Sequence, residues 1–86
     1  MNYFVYLILS KNKQKTLSYV GYTNDLKKRL KQHNTSKGAK FTKGRKWILV
    51  YSKSYNSKSK AMKEEYKLKK NYPLRNKLKS EFIEKK

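Results

Sequence analysis

The chain reads as an α+β domain: a three-stranded antiparallel sheet flanked by helices, in the order β-β-α-β-α with a short third helix. Three observations predict this. Two runs rich in β-branched and aromatic residues, at 3–9 and 16–22, are separated by a brief polar connector. A third, alternating run occupies 46–55. Between and after these runs, apolar residues recur at helical spacing behind good capping residues.

Residues 3–9 are consecutively apolar or aromatic, too short a run for a buried helix and suited to a central strand covered on both faces. The connector 11–15 is polar, with Asn12 available for a turn. In the second strand Leu17 and Tyr19 point to one face, Val20 and Tyr22 to the other. A turn centred on Asn12-Lys13 sets Tyr6 directly across from Tyr19, so that both rings share a face. Gly21, near the strand end, permits close approach by a neighbouring group. Thr23 or Asn24 is the expected N-cap of the first helix, with Asp25 in its first turn at the positive end of the dipole.

That helix should run to about His33 or Asn34. Leu26 and Leu30 form its core stripe, and Arg29 and His33, four apart, stack on an adjacent face. Residues 34–45 read as a loop with Gly38 and Gly44, carrying Lys37, Lys40, Lys43 and Arg45. In the third strand Trp47, Leu49 and Tyr51 alternate with Ile48 and Val50. Ser57 or Ser59 caps a second helix reaching about Asn71; Pro73 stops it, and 74–83 add a short third one.

Composition narrows the function. Lys and Arg total 24 against 5 acidic residues, a net charge of +19, so the partner is a polyanion. Hydrophobic residues are 36%, yet 14% are aromatic and Tyr occurs 8 times, which separates the chain from disordered basic tails. All of 1–86 is expected to form a single domain. No apolar run nears the ~18–20 residues that span a bilayer, and no segment reads as a basic amphipathic membrane helix. The start lacks the basic region and cleavage site of a secretory signal, so the expected location is cytoplasmic. Without Cys there are no disulfides, no thiolate zinc site and no cysteine nucleophile. One His restricts metal sites to oxygen-rich coordination, which suits Mg²⁺ or Mn²⁺.

A few residues break the basic background. On the second helix Ala61, Met62, Leu68 and Tyr72 occupy one arc at 100° per residue, with Glu65 inside it and Glu64 on its edge. A carboxylate on an inward stripe is costly unless paired, hydrogen-bonded or coordinating a metal. From the helix alone a rim salt bridge and a metal site are equally open. Taken singly, the others also have plain structural readings. Arg29 can pair with Asp25, His33 can be solvated near a helix end, and Tyr6 and Tyr19 can be core rings with wet hydroxyls. The basic loop grips phosphates whether or not a reaction follows.

The ordered set is more telling. Val5-Tyr6-Leu7 on one strand, Tyr19-Val20-Gly21 on the next, a capped helix with Arg29 and His33, the loop 37–45, and the segment 61–70 with Glu65 together resemble the GIY-YIG endonuclease domain. Val5-Tyr6-Leu7 stand where that family has its first triplet, and Tyr19-Val20-Gly21 stand for the second. Loop 37–45 looks like that of the small stand-alone bacterial members, and 61–70 is similar to their Ala-x-x-x-Glu helix, which selects Glu65 over Glu64. Val replaces Ile in both triplets, and Lys46 stands where stand-alone members often have Pro.

The resemblance covers residues 3 to about 80 and implies a metal-dependent DNA endonuclease of DNA repair or recombination. In that reading Glu65 holds Mg²⁺ or Mn²⁺, Arg29 binds the scissile phosphate, and Tyr6, Tyr19 or His33 handles the attacking water. Gly21 lets the phosphate and helix approach, while Lys37, Lys40, Lys43 and Arg45 bind the backbone of DNA, including branched or flapped DNA. The competing reading is a non-catalytic basic module for RNA or DNA, which composition alone favours. An inward Glu65 separates the two, since a phosphate binder has no use for a buried acid beside its anion site. A protein partner is left unspecified, and nothing specific favours a module for an acidic one.

Overall fold

The computed structural model describes residues 2–11, 15–35, 37–38 and 40–84. Strands β1 (Tyr3–Lys11), β2 (Thr16–Thr23) and β3 (Ile48–Tyr55) form one antiparallel sheet in the order β2-β1-β3. Helix α1 (Leu26–Asn34) follows β2, a 3₁₀ turn (Lys40–Thr42) leads to β3, and α2 (Lys58–Lys70) and α3 (Tyr72–Glu84) close the order. The fold is α+β. Among the described residues no helix is long and apolar enough to cross a membrane.

β1 takes the centre because it alone can bury both faces. Val5, Leu7 and Leu9 point to one side and join Val20, Ala61 and Leu68. Tyr6 and Ile8 point to the other and join Trp47, with Leu26 and Leu30 of α1 packed over them. Leu74, Leu78 and Phe82, one per turn of α3, reinforce the first cluster.

The register corrects the expected pairing. Gly21, not Tyr19, lies across from Tyr6, and Tyr19 lies across from Ile8. The slip is two residues, so every side chain keeps its face and both tyrosines still share one. The turn residues 12–14 lie outside the described part. Packing explains the choice: a Cβ on Gly21 would sit 2.5 Å from the Tyr6 hydroxyl, so the phenol occupies space that only glycine leaves free.

On the other side, a bulge breaks the β1–β3 ladder: Leu7 pairs with Tyr51 but Ile8 with Leu49, leaving Val50 as the extra residue. Leu49 and Tyr51 therefore face opposite sides, contrary to simple alternation. Leu49 joins Tyr6 and Ile8, and Tyr51 joins Val5 and Leu7. The strand begins at Ile48, after the buried Trp47, whose indole N–H donates to the Thr42 carbonyl at 2.9 Å.

Helix ends also shift. The N-cap of α1 is Asp25, which accepts from Lys28 N at 3.1 Å; Thr23 Oγ1 in turn accepts from Asp25 N at 3.1 Å. The short carboxylate reaches the third N–H, so capping falls past Thr23 and Asn24. Ser57 caps α2 as expected. Asn71 ends α2 and caps α3 by accepting from Leu74 N at 3.2 Å. Pro73 then sits in the first turn of α3, where its missing N–H costs nothing, so α3 reaches 13 residues.

Candidate active site

The site is built around the Tyr6 phenol, which lies over Gly21 and meets His33 Nε2 at 2.8 Å. His33, on α1, is fully buried. Its Nδ1 meets Thr42 Oγ1 at 2.9 Å, and Thr42 is also fully buried. Gly38 closes on the imidazole so tightly that a Cβ there would lie 2.5 Å from Nδ1. Tyr6, His33 and Thr42 thus form one buried chain of hydrogen bonds.

Electrostatics fix the charge state of that chain. Burial, assisted by the positive charge of Arg29, pushes the His33 pKa below its usual value, so the ring is neutral near neutral pH. A neutral imidazole has one donor and one acceptor, so if Tyr6 donates to Nε2, Nδ1–H donates to Thr42, or both bonds reverse. Burial pushes the Tyr6 pKa up, and the hydrogen-bonding and charge of Arg29 only partly oppose it. The solvated His33 that the helix alone allowed is thereby excluded.

Tyr19 stands edge-on to His33, with ring centres 5.1 Å apart, and stacks on Phe41 at 6.1 Å. It is half-buried where Tyr6 is buried, so of the two phenols Tyr19 is nearer solvent. Arg29 donates to Gln32 Oε1 at 3.1 Å rather than pairing with Asp25. It lines an open groove of about 420 Å³ together with Lys28, Gln32 and Lys58.

The helical arc drawn around Glu65 needs correction. Met62 is 48% and Tyr72 63% exposed, and the buried axis of α2 is Ala61 and Leu68 alone. The two glutamates flank that axis. Glu65 is not a buried acid: its side chain is 22% exposed and pairs with Lys69 at 3.7 Å. Glu64 pairs with Lys67 at 3.3 Å. Their charges fall on different rings, Glu65 raising the Tyr6 pKa and Glu64 that of Tyr55. Glu65 is thus the acid within electrostatic reach of Tyr6.

Among the described residues no three His, Asp or Glu side chains gather into a metal cage. A divalent ion of the Mg²⁺ type does not need one, because one or two carboxylates plus water and substrate phosphates complete its shell. The partly open Glu65 fits that donor set.

Of the loop cations, Lys37, Lys40 and Lys43 are exposed and Arg45 is half-buried. Lys43 and Arg45 line a groove beside Ser10 and Lys11, at the opposite end of β1 from the Arg29 groove, which Tyr3 lines. Lys43 and Arg45 therefore do not share a groove with Arg29. Thr42 escaped the sequence reading because it lies in a loop without periodicity. Only its place beside His33 in the fold marks it.

The α+β order of strands and helices, with a buried Tyr–His pair in its core, is that of the GIY-YIG catalytic domain, a family whose members are generally nucleases. The model of that domain matches residues 2–79, and the chain belongs to the GIY-YIG family, whose nucleases generally use a divalent metal. The UPF0213 protein YazA of Bacillus subtilis is 44% identical over 86 residues, covering 99% of this chain and 81% of that protein. A UPF0213 protein of Halobacterium salinarum is 46% identical over 52 residues, 59% of this chain and 68% of that one. The solution NMR structure of the UPF0213 protein BH0048 from Bacillus halodurans is 43% identical, with a TM-score of 0.43 covering 80% of this chain and 71% of that chain.

Proposed function

We propose that residues 1–86 work as one cytoplasmic, divalent-metal-dependent DNA endonuclease domain that hydrolyses phosphodiester bonds in DNA repair or recombination. The observation that carries the reading is the Tyr6–His33 hydrogen bond of 2.8 Å, within the electrostatic reach of Arg29, in a chain of this family. Glu65 would hold Mg²⁺ or Mn²⁺, which when bound supplies Lewis-acid stabilisation of the departing 3′ oxygen. Arg29 binds the non-bridging phosphate oxygens, where its permanent planar charge meets the negative charge that builds up.

Tyr19, half-exposed, orients the attacking water. Tyr6 Oη takes the water proton as its own passes to the neutral His33 Nε2, with Nδ1–H donated to Thr42. In this arrangement His33 acts through Tyr6 and does not itself meet the water, since its two ring nitrogens are taken by Tyr6 and Thr42. Gly21 leaves room for the phenol, and Lys37, Lys40, Lys43 and Arg45 hold the backbone of the DNA, including branched or flapped forms.

A supercoiled plasmid with Mg²⁺ tests the assignment. The native chain should nick it, and Glu65→Gln should slow nicking on the order of 100-fold, the scale for loss of one electrostatic group at a reacting centre. Equal nicking by both would remove Glu65 from the site. One observation favours the second reading, a non-catalytic RNA- or DNA-binding module: Glu65 is ion-paired to Lys69 rather than buried. Absence of nicking on duplex, single-stranded, branched and flapped DNA would select it.

A further inference from the structure

A second groove, of about 460 Å³ and lined in part by Tyr19, runs between the edge strand β2, the 3₁₀ turn and the α2–α3 junction. Its volume falls within the ~300–1,000 Å³ of sites that take small heterocyclic ligands. Three aromatic rings line it, Tyr19, Phe41 and Tyr72, together with three cations, Lys69, Lys70 and Arg75. The cavity shares Tyr19 with the Tyr6–His33 centre but none of the residues lining the Arg29 groove.

Two of these rings are placed against the hydrophobic effect. Phe41 is 52% and Tyr72 63% exposed, in a chain with few apolar residues to spare. Phe41 is also braced from within, stacked on Tyr19 at 6.1 Å and tilted against the buried Trp47 at 6.1 Å. Arg75 is pinned just as firmly. Its Nη1 donates to the Lys69 carbonyl at 2.7 Å, its Nη2 to Ser18 Oγ at 2.6 Å, and its guanidinium lies 6.0 Å from the Tyr72 ring. Those partners are neutral, so the Arg75 charge is positioned without being neutralised. Lys70 likewise lies over a ring, that of Tyr66, at 4.9 Å.

Exposed, pre-ordered rings beside the un-neutralised Arg75 match the two halves of a nucleotide, a π-face and a phosphate. In a duplex each base face is covered by its neighbours, so only an unpaired base can lie against Phe41 and Tyr72. We infer that this groove binds an unpaired nucleobase of a DNA strand, with Lys69, Lys70 and Arg75 on the adjoining phosphates. Because Tyr19 is common to both sites, a base held here sets the neighbouring phosphodiester toward Tyr6 and His33. The preferred substrate is then DNA with an unpaired nucleotide beside the cleaved bond. The choice of DNA rests on the endonuclease reading above; the groove as a base-binding site is tested independently of cleavage.

The test uses the full chain carrying Glu65→Gln, in EDTA, with a fluorescently labelled oligothymidylate of about 15 nucleotides, within the span that such grooves cover. A blunt duplex of the same length is the comparison. Phe41→Ala and Tyr72→Ala should each weaken oligothymidylate binding about tenfold or more, the scale of one lost base stack, and duplex binding by less than about twofold. Phe41→Trp should retain oligothymidylate binding. Tyr72→Ala guards against a folding artefact, since that ring is mostly solvent-exposed.

Equal losses on both DNAs, or no loss on either, would overturn the inference. So would tighter binding of oligouridylate than of oligothymidylate, which assigns the groove to RNA. A chain that never nicks a plasmid but shows the expected discrimination keeps the groove and loses the endonuclease reading. A chain that nicks normally but shows no discrimination does the reverse.

Discussion

The two faces of the central strand β1 are equally buried and chemically unlike. On one, Val5, Leu7 and Leu9 meet Val20, Ala61 and Leu68 in an apolar cluster. On the other, Tyr6 and Ile8 share their space with His33 and Thr42, two polar residues as fully buried as any aliphatic one. Every buried polar side-chain atom among the described residues has a hydrogen-bond partner. The contrast teaches how a chain of 86 residues accommodates a buried polar network: the period-two alternation of one strand assigns apolar packing to one face and hydrogen bonding to the other. Neither can be moved independently, because they share a backbone.

The largest effect should come from the apolar face. Leu7 is completely buried, and Leu7→Ala removes its contacts and leaves a cavity, a loss of about 2–5 kcal/mol. Domain stabilities are only about 5–15 kcal/mol, so urea unfolding should move to far lower denaturant. Nicking should fall only as far as the folded fraction falls. A loss below about 1 kcal/mol would mean that this face is loosely packed and the contrast is false.

A smaller change in stability with a greater one in function is expected on the polar face. Thr42→Val keeps the shape of the side chain but leaves His33 Nδ1 without its partner, at a cost of about 1–3 kcal/mol. Nicking should drop beyond what unfolding explains, since the tautomer that lets His33 accept from Tyr6 is no longer held. Thr42→Ser should restore most of both. If Thr42→Val lost stability but nicked normally per folded molecule, the Tyr6–His33–Thr42 chain would be packing only.

These two faces were not equally legible in the sequence. The unbroken apolar run of β1 and the 4-residue spacing of Leu26 and Leu30 announced a sheet with a helix on it. The assignment of Leu17 and Tyr19 to one face, Val20 and Tyr22 to the other, stands because alternation is local. What stayed hidden is non-local. The bulge at Val50 reverses the faces of Leu49 and Tyr51, and no residue there signals it. The pairing of Tyr6 with Gly21 depends on the room a phenol needs, which turn residues do not encode. The resemblance singles out Glu65 over Glu64, yet the helical arc drawn around it included Met62 and Tyr72, which the fold leaves in solvent. A helical wheel shows which residues share a side, not how far the sheet reaches to cover them.

The smallest expected effect is the most selective. His33 is the only histidine in the chain, so between about pH 5 and 6.5 it is the one side chain whose unperturbed form titrates. Its folded pKa is lowered, first by burial and then by Arg29. The unfolded chain therefore binds more protons in this window, and stability must rise with pH. The contribution is fully present above about pH 6.5, the unfolded value, and is lost as pH falls toward the lower, folded one. Thermal unfolding across this range should show that slope in the native chain and lose it in His33→Gln. Arg29→Gln should retain most of it, because burial is the larger cause. Leu7→Ala should lower stability by the same amount at every pH and leave the slope intact, since nothing on the apolar face titrates there. A slope that survives His33→Gln would mean that the imidazole is not held neutral inside the protein, and the polar face would lose the proton acceptor that distinguishes it.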